Sequence, residues 1–124
     1  MAVDVRDLCD FAERLADLGP VRFKRMFGGA GFWLADEMFA CWADGSFMLR
    51  ADAHNAPAFA ARGIGAWQPS IIAPKPGGKV MTMPYYAIPD EVMSDDALLL
   101  AWAREAVAAA DRAGQAKLAK KRKP

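Results

Sequence analysis

The sequence predicts a two-layer α+β fold, in which an antiparallel sheet of about five strands carries helices packed mainly on one face. Three observations predict it: a helical repeat of apolar residues opens the chain, short extended segments joined by tight turns follow, and a second long helical repeat closes it. Short turns force neighbouring strands to pair antiparallel, because a parallel crossover needs about a dozen residues. The helices then bury their apolar sides against the sheet. A chain of 124 residues has the size of one domain.

The first helix is predicted from about Asp4 to Leu18. Asp4 can cap the first turn, and Gly19-Pro20 is a stop signal. Apolar residues recur at intervals of three and four, which places them on one side of the helix. These residues are Val5, Leu8, Phe11, Ala12, Leu15 and Leu18.

Residues 21–50 predict a meander of three or four strands. The segments VRFKRMF, FWL, EMFACW and SFMLR have strand character, and the turns Ala35-Asp36 and Asp44-Gly45 join the last three. We interpret Gly28 and Gly29 as a turn or bulge, because the lysine or helix start of a phosphate-binding loop does not follow them. We expect alanine to cost more stability at whichever of the two has a positive φ.

The second half of the chain adds two helices and further extended segments. A helix is predicted over about Ala53–Arg62, and the segments WQPSII and VMTMPYYAI follow it, separated by the loop PKPGGK. The last helix is predicted from Asp95 or Asp96 to at least Ala113. Trp102 lies on its alanine-rich face, which predicts that this side chain packs against the sheet.

Charge is unevenly distributed along the chain. Residues 1–116 carry 11 basic and 15 acidic side chains, whereas residues 117–124 carry five basic side chains and no acidic one. We therefore predict a domain over 1–113 and a basic tail over 114–124. The favoured interpretation of the tail is a solubilising end, frayed or disordered, and the alternative is contact with phosphates. Its basic residues are Lys117, Lys120, Lys121, Arg122 and Lys123.

The residues indicate no catalytic, metal-binding or cofactor-binding site, and no enzyme activity is expected. His54 is the only histidine, and Cys9 and Cys41 form no CxxC pair, so neither a nucleophile–histidine pair nor a zinc site is indicated. We interpret both cysteines as small buried hydrophobes in a reducing compartment. The sequence contains no apolar run of membrane-spanning length and does not begin like a secretion signal, which predicts a cytoplasmic protein without a membrane partner.

Aromatic residues at alternate strand positions predict apolar area on both faces of the sheet. If helices cover one face, the other face meets solvent or a partner. Arg22, Lys24 and Arg25 would give such a partner surface a basic edge, and a salt-bridged solvent face is the alternative. An uncovered face also predicts a homodimer, unless the loop around Pro74–Lys79 folds over it and keeps the chain monomeric.

Three blocks of the sequence, taken together, resemble the TfoX N-terminal domain family. They are VRFKRMFGGAGFWLADEMFACWADGSFMLRAD, MPYYAIPDEV and DDALLLAWAREAVAAA, and the resemblance covers about residues 5–113. The matching motif residues are Met26, Phe27, Gly28, Gly29, Tyr85, Tyr86, Pro89 and Trp102. The resemblance implies a fold similar in outline to secretion-chaperone-like domains. It also implies a non-enzymatic regulator of natural-competence genes, thought to act with the cyclic-AMP receptor protein. Such regulators carry a second, helical domain, where this sequence has only the basic tail.

Two functional hypotheses follow. The leading one is a small interaction module, either a transcriptional co-regulator or a protein adaptor, whose partner is a protein, with the transcription machinery as one candidate. The alternative is a protein that binds nucleic acid directly through the tail and the strand that carries Arg22, Lys24 and Arg25. A salt titration of DNA binding separates them, because phosphate contacts weaken steeply with salt.

Overall fold

A computed structural model of the protein describes residues 3–26, 28–69 and 81–122. The described strands are β1 (Val21–Met26), β2 (Gly29–Leu34), β3 (Glu37–Ala43), β4 (Ser46–Arg50) and β5 (Tyr85–Ala87). The described helices are α1 (Val5–Arg14), α2 (Ala56–Ala60), α3 (Asp90–Met93) and α4 (Asp96–Arg122), with a 3₁₀ turn at Ala16–Leu18. Within the described residues the strands form one antiparallel sheet in the order of the chain, β1 to β5. The α+β fold predicted from the sequence is therefore confirmed.

The first helix is shorter than predicted. Asp4 caps α1 as expected, since its Oδ1 accepts a hydrogen bond from the backbone N–H of Arg6 at 2.8 Å. The α-helix ends at Arg14, and the 3₁₀ turn then leads to Gly19, whose φ is 132°. A 3₁₀ turn is a common way to tighten the end of a helix. The predicted stop at Gly19 therefore applies to the 3₁₀ turn and not to α1 itself.

The predicted meander is confirmed as four strands, β1 to β4, with turns at Ala35-Asp36 and Asp44-Gly45. Across the sheet, strand alternation directs one row of paired residues towards the helices. This row is Phe23, Phe32, Ala40, Leu49 and Tyr86. It packs against Phe11 of α1 and against the buried side of α4, which crosses β3 and β4.

A β-bulge in β3 interrupts the alternation. Phe32 pairs with Ala40 and Trp33 pairs with Met38, so Phe39 is an extra residue in β3. Phe39 and Ala40 are both fully buried in the helix-side core. The bulge therefore lets two consecutive residues face the helices and sends Met38 to the opposite face.

Trp102 is partly buried at the margin of the helix-side core, and its ring contacts lie on the α2 side. Its packing against the sheet itself stays a prediction. Its ring meets Phe59 of α2 edge-on at 5.0 Å, and the guanidinium of Arg62 lies 4.8 Å from its ring centroid. The buried stripe of α4 runs through Leu99 and Ala103. Trp102 is three residues after Leu99, which turns its side chain about 60° away from that stripe and towards α2.

The second half of the chain departs from the prediction at several places. The helix predicted over 53–62 is only α2, because Pro57 stands in its first turn and Asn55 binds back to the Arg50 carbonyl. The short α3 was not predicted. VMTMPYYAI contributes only the three residues of β5, together with an isolated bridge between Trp67 and Met83. The PKPGGK loop and the second half of WQPSII, residues 70–72, lie outside the described residues.

The last helix is longer than the predicted minimum. The predicted domain boundary at residue 113 falls inside α4, and residues 114–122 are helical, not frayed or disordered. Alanine and lysine favour the helix, which explains why it continues. The division of the chain into a domain and a tail stays a prediction.

Ion pairs connect the helical layer to itself and to the sheet. Arg112 of α4 holds Asp52, just after β4, in a bidentate pair, with Nε–Oδ2 at 2.6 Å and Nη2–Oδ1 at 2.9 Å. Two further pairs join α1 to α4, by Arg14–Asp96 at 2.8 Å, and the residues just after α2 to α3, by Arg62–Glu91 at 2.6 Å. The Arg14–Asp96 and Arg112–Asp52 pairs lie at opposite ends of the buried part of α4.

Asp52→Asn is expected to remove part of the acid sensitivity of the fold. The hydrogen bond from Arg112 lowers the pKa of Asp52 from 3.8 to about 2. Because the folded pKa lies below the unfolded one, this carboxylate stabilises the fold fully above pH 4 and loses that effect as the pH falls to about 2. Because the Arg112–Asp52 pair is partly exposed, we expect it to contribute about 1 kcal/mol at most to the free energy of unfolding.

Urea unfolding of the wild type and of Asp52→Asn at pH 6 and pH 2.5 measures this contribution. Asp36→Asn, which changes an exposed carboxylate in the β2–β3 turn, is the matched control. We expect the free energy of unfolding of Asp52→Asn to be lower than that of the wild type at pH 6, and the difference to shrink at pH 2.5. A difference that stays constant between the two pH values would contradict the assignment.

Candidate functional site

The face of the sheet opposite α1 and α4, here called the open face, carries a second apolar cluster. Its buried members are Cys41, Met48 and Tyr85. Four partly buried side chains pack against them: Met38, Ala43, Trp67 and Met83. We call these residues the open-face cluster. Trp67 and Met83 reach it through a short antiparallel bridge beyond β5, in which the Met83 N–H donates to the Trp67 carbonyl at 2.8 Å.

A cavity of about 980 Å³ adjoins the open-face cluster. Methionine thioethers and aromatic rings dominate its lining, including Met26, Met38, Met83, Trp67 and Tyr85. This volume lies within the range of sites that take up a small molecule or an apolar part of a partner. Methionine side chains adapt to irregular partners because they are unbranched and polarisable.

The polar groups of the lining bond to one another. The Trp67 Nε1–H donates to Asp44 Oδ2 at 2.7 Å, and the Tyr85 hydroxyl donates to the Met38 carbonyl at 3.2 Å. The guanidinium of Arg50 lies 5.7 Å from the centroid of the Tyr85 ring. Among the described residues, no buried side-chain nitrogen or oxygen lacks a hydrogen-bond partner. The cavity therefore offers mainly apolar contact.

Burial keeps two titratable groups of the cavity, the Cys41 thiol and the Tyr85 hydroxyl, in their neutral forms at neutral pH. Burial raises the pKa of the Cys41 thiol to about 12. Burial also raises the pKa of the Tyr85 hydroxyl, against the opposing effect of Arg50. At neutral pH Cys41 is thus a protonated thiol, which is a poor nucleophile.

The two cysteines differ in burial. Cys41 is buried as predicted, whereas Cys9 is exposed, so its predicted burial is wrong. On a helix, adjacent residues point about 100° apart. Leu8 takes the buried direction of α1, and Cys9 therefore turns towards solvent.

Side chains that could ligate a metal are dispersed over the described ranges. Histidine, cysteine, aspartate and glutamate side chains form no group of three there that could hold a metal ion. His54 is exposed, and its backbone N–H donates to Asp52 Oδ1 at 2.9 Å. None of the helices in this part of the chain has the length and apolar composition that a membrane crossing requires.

The basic residues of β1 do not share one face. Lys24 is in register with Gly31 and Cys41, which places Lys24 and Arg22 on the open face. Alternation turns Arg25 to the helix side, where its Nη2 donates to the Val3 carbonyl at 3.0 Å. The Nη2 of Arg22 donates to the Ala35 carbonyl at 2.7 Å. The single basic edge expected from the sequence is therefore divided between two faces.

The basic residues of the predicted tail lie on α4. Lys117, Lys120 and Lys121 are exposed, and their spacing places them on one side of the helix. Arg122 is the last residue of α4, and Lys123 lies outside the described residues.

The motif residues are distributed over both faces of the sheet. Met26, Gly28 and Tyr85 line the cavity. Tyr86 and Trp102 both meet the ring of Phe59 on the helix side, at centroid distances of 5.1 and 5.0 Å.

The remaining motif residues have backbone roles or lie outside the description. Gly29 lies inside β2 and not in a turn, so only Gly28 occupies the turn predicted for the pair. Pro89 is buried and caps α3. Phe27 lies outside the described residues. Only part of the motif set therefore borders the cavity.

Sequence reasoning missed most of the cavity. Trp67 and Met83 come together only through pairing between distant segments, and no local pattern signals it. Met38 reaches the open face only because of the bulge in β3. Four methionines, at positions 26, 38, 48 and 83, line the cavity or belong to the open-face cluster. Their number could have indicated an adaptable apolar surface.

The fold and the site together define a small two-layer α+β domain with an apolar cavity on the open face of its sheet. The family model of the TfoX N-terminal domain matches residues 13–110. Because this match spans most of the chain, the protein belongs to the TfoX N-terminal domain family, and the resemblance noted in the sequence is confirmed. A comparison with curated proteins returns no match for this chain.

Proposed function

We propose that the protein is a non-enzymatic interaction module, a TfoX-like transcriptional co-regulator that binds a partner protein through the open face of its sheet. The observation that carries this proposal is the apolar cavity beside the open-face cluster. Membership of the TfoX N-terminal domain family supports a competence-regulator-like role.

The chemistry of the cavity suits a protein contact. Interface centres are apolar and rich in aromatic and methionine side chains, and their rims are polar. The cavity has such a lining in Met26, Met38, Met83 and Trp67. A partner that inserts apolar side chains here would gain most of its binding energy at the centre of the interface, where hot spots concentrate.

The rim of the open face adds charge. Lys24 is exposed in the strand next to Gly31 and Cys41, and Asp44 stands at the cavity mouth where it receives the Trp67 N–H. Charges at the rim of an interface steer association and fix register more than they add affinity. The proposed partner surface is therefore apolar at its centre and carries charge of both signs around it.

Met83→Glu is expected to abolish partner binding while the fold persists. Met83 is partly buried against the open-face cluster, so a carboxylate there would place a charge in the apolar centre. Met81→Glu is the matched control, because Met81 is 55% exposed in the same segment. The readouts are cross-linking of the partner to the open face in the native host and transcription of competence genes in the same cells.

We expect the wild type and Met81→Glu to cross-link the same partner and support transcription equally, and Met83→Glu to lose both. Thermal unfolding of the purified variants shows whether the fold is retained. If a folded Met83→Glu keeps the partner and the transcription, the open face is not the contact surface.

A second copy of the chain is the other occupant that the open face could take, as the predicted homodimer requires. Sedimentation of the wild type and of Met83→Glu at micromolar concentration distinguishes the two occupants. A wild-type mass of twice 13.5 kDa that returns to the monomer mass in Met83→Glu would place a second copy there. If the wild type is monomeric, the open face remains accessible to a different protein. Pro74–Lys79, the loop that could keep the chain monomeric, lies outside the described residues.

A further inference from the structure

The C-terminal end of α4 extends past the described body of the domain. Arg112 is anchored by Asp52, and Gly114 lies so close to Glu37 that an added Cβ would stand 2.2 Å from Glu37 Oε1. Every side chain from Gln115 to Lys121 is exposed. The helix therefore leaves the body after residue 114 and continues for about two turns with its whole circumference accessible.

This exposed end presents a basic stripe. Lys117, Lys120 and Lys121 follow the three- and four-residue spacing that aligns side chains on one side of a helix. The stripe spans about 6 Å along the helix axis, close to the rise of two base-pair steps of DNA. No acidic side chain follows Asp111 in the sequence, so nothing on this end of the chain neutralises the stripe from within.

Its composition favours phosphates over a lipid surface. A helix that lies in a membrane interface needs a broad face of large apolar side chains. Between Gln115 and Lys121 the only large apolar side chain is Leu118. The rest of the chain, residues 1–116, has an excess of acidic side chains and would repel a polyanion. A polyanion would therefore meet the protein at the end of α4, away from the body.

We propose that the C-terminal end of α4 binds the phosphate backbone of double-stranded DNA through Lys117, Lys120 and Lys121. The contact is independent of base sequence, because phosphates are common to all sequences. The sequence-based hypothesis of direct nucleic-acid binding used both the basic tail and β1. The present proposal retains the tail and omits β1, because the basic residues of β1 lie on two faces. It is also separate from the open face, so that a partner protein and DNA can be held at the same time.

The test uses the full chain with Lys117, Lys120 and Lys121 replaced together by glutamine. The matched control replaces Arg6, Lys24 and Arg104 by glutamine, three exposed basic residues on the body, and so makes the same change in net charge. Because Lys24 belongs to β1, the control also tests the β1 half of the alternative. Glutamine has a helix propensity close to that of lysine, and circular dichroism verifies that α4 persists.

Fluorescence anisotropy with a labelled duplex of about 20 base pairs, between 50 and 200 mM salt, is the readout. Three phosphate contacts predict a slope of log K against log salt of about −2.7. We expect the triple lysine variant to lose at least tenfold in affinity at 50 mM salt and most of this slope, and the control to keep both.

A triple lysine variant that keeps the affinity and salt slope of the wild type would overturn the proposal, and so would four other results. They are a wild type that does not bind the duplex at 50 mM salt, a control that loses as much affinity as the lysine variant, tighter binding to phosphatidylserine vesicles than to DNA, and tighter binding to polyglutamate than to DNA. The last two would assign the stripe to a lipid surface or to an acidic protein. The Met83→Glu experiment tests the open face separately, because that variant keeps Lys117, Lys120 and Lys121.

Discussion

Phe32→Ala is expected to lower the free energy of unfolding by about 3–5 kcal/mol, the range for truncating a large core side chain. Phe32 has no solvent exposure, and its ring lies 4.9 Å from Phe11, 5.8 Å from Phe23 and 6.2 Å from Phe47, between ring centroids. It thus joins α1 to three strands, and truncation leaves a cavity that neither water nor its neighbours fill well. Urea unfolding at pH 7 measures the loss.

Trp102→Ala is the comparison for Phe32→Ala. The sequence alone predicts a cost of the same size for it, but Trp102 is only partly buried and contacts Phe59 and Arg62. Loss of one aromatic pair and one cation–π contact should cost about 2 kcal/mol. Equal losses for the two variants would mean that α2 and α4 pack more tightly around Trp102 than these contacts indicate.

Gly29→Ala is expected to destabilise the fold by about 3 kcal/mol, the upper end for overpacking a core. A Cβ on Gly29 would lie 2.1 Å from the carbonyl oxygen of Trp42 and 3.4 Å from the Cα of Ala43. Because the obstacle is the backbone of β3, no side-chain rotation relieves it, and β2 and β3 must separate locally. Thermal and urea unfolding provide the measurement.

Gly28→Ala should cost less, about 1 kcal/mol, although Gly28 is the residue with the positive φ of 76°. A Cβ there meets nothing within 4 Å, so only the backbone conformation is penalised. This order reverses the sequence-based expectation that the glycine with positive φ is the more sensitive one. A larger loss at Gly28 than at Gly29 would restore that expectation.

Local signals predicted the meander well. Asp44-Gly45 and Ala35-Asp36 mark turns because few residues adopt the required backbone, and β1 to β4 follow from the extended segments between them. The bulge at Phe39 escaped prediction, because one extra residue inside EMFACW leaves the apolar character of the run unchanged. Cys9 was assigned to the buried face of α1, but it is one position after Leu8, and a rotation of about 100° around the helix exposes it.

The candidate site was less predictable than the fold. An apolar surface on the second face followed from strand alternation, but its centre depends on Trp67 and Met83, which are brought together by pairing between separate segments. Likewise the basic tail was recognised from composition, whereas its continuation as part of α4 required the structure. Composition reports which charges are present but not whether a helix aligns them.

The sheet order of β1 to β5 has a consequence for the way the sheet comes apart. Two-residue turns close β2 onto β3 and β3 onto β4, whereas 34 residues separate Arg50 from Tyr85, the ends that β4 and β5 bring together. Chain entropy makes that closure roughly 2 kcal/mol more expensive than a hairpin, and the three residues of β5 offer few backbone hydrogen bonds in return. Local opening therefore begins at β5. Tyr85 and the Trp67–Met83 bridge lie there, so the proposed contact surface stands on the least securely anchored edge of the sheet, where a partner gains the most by binding.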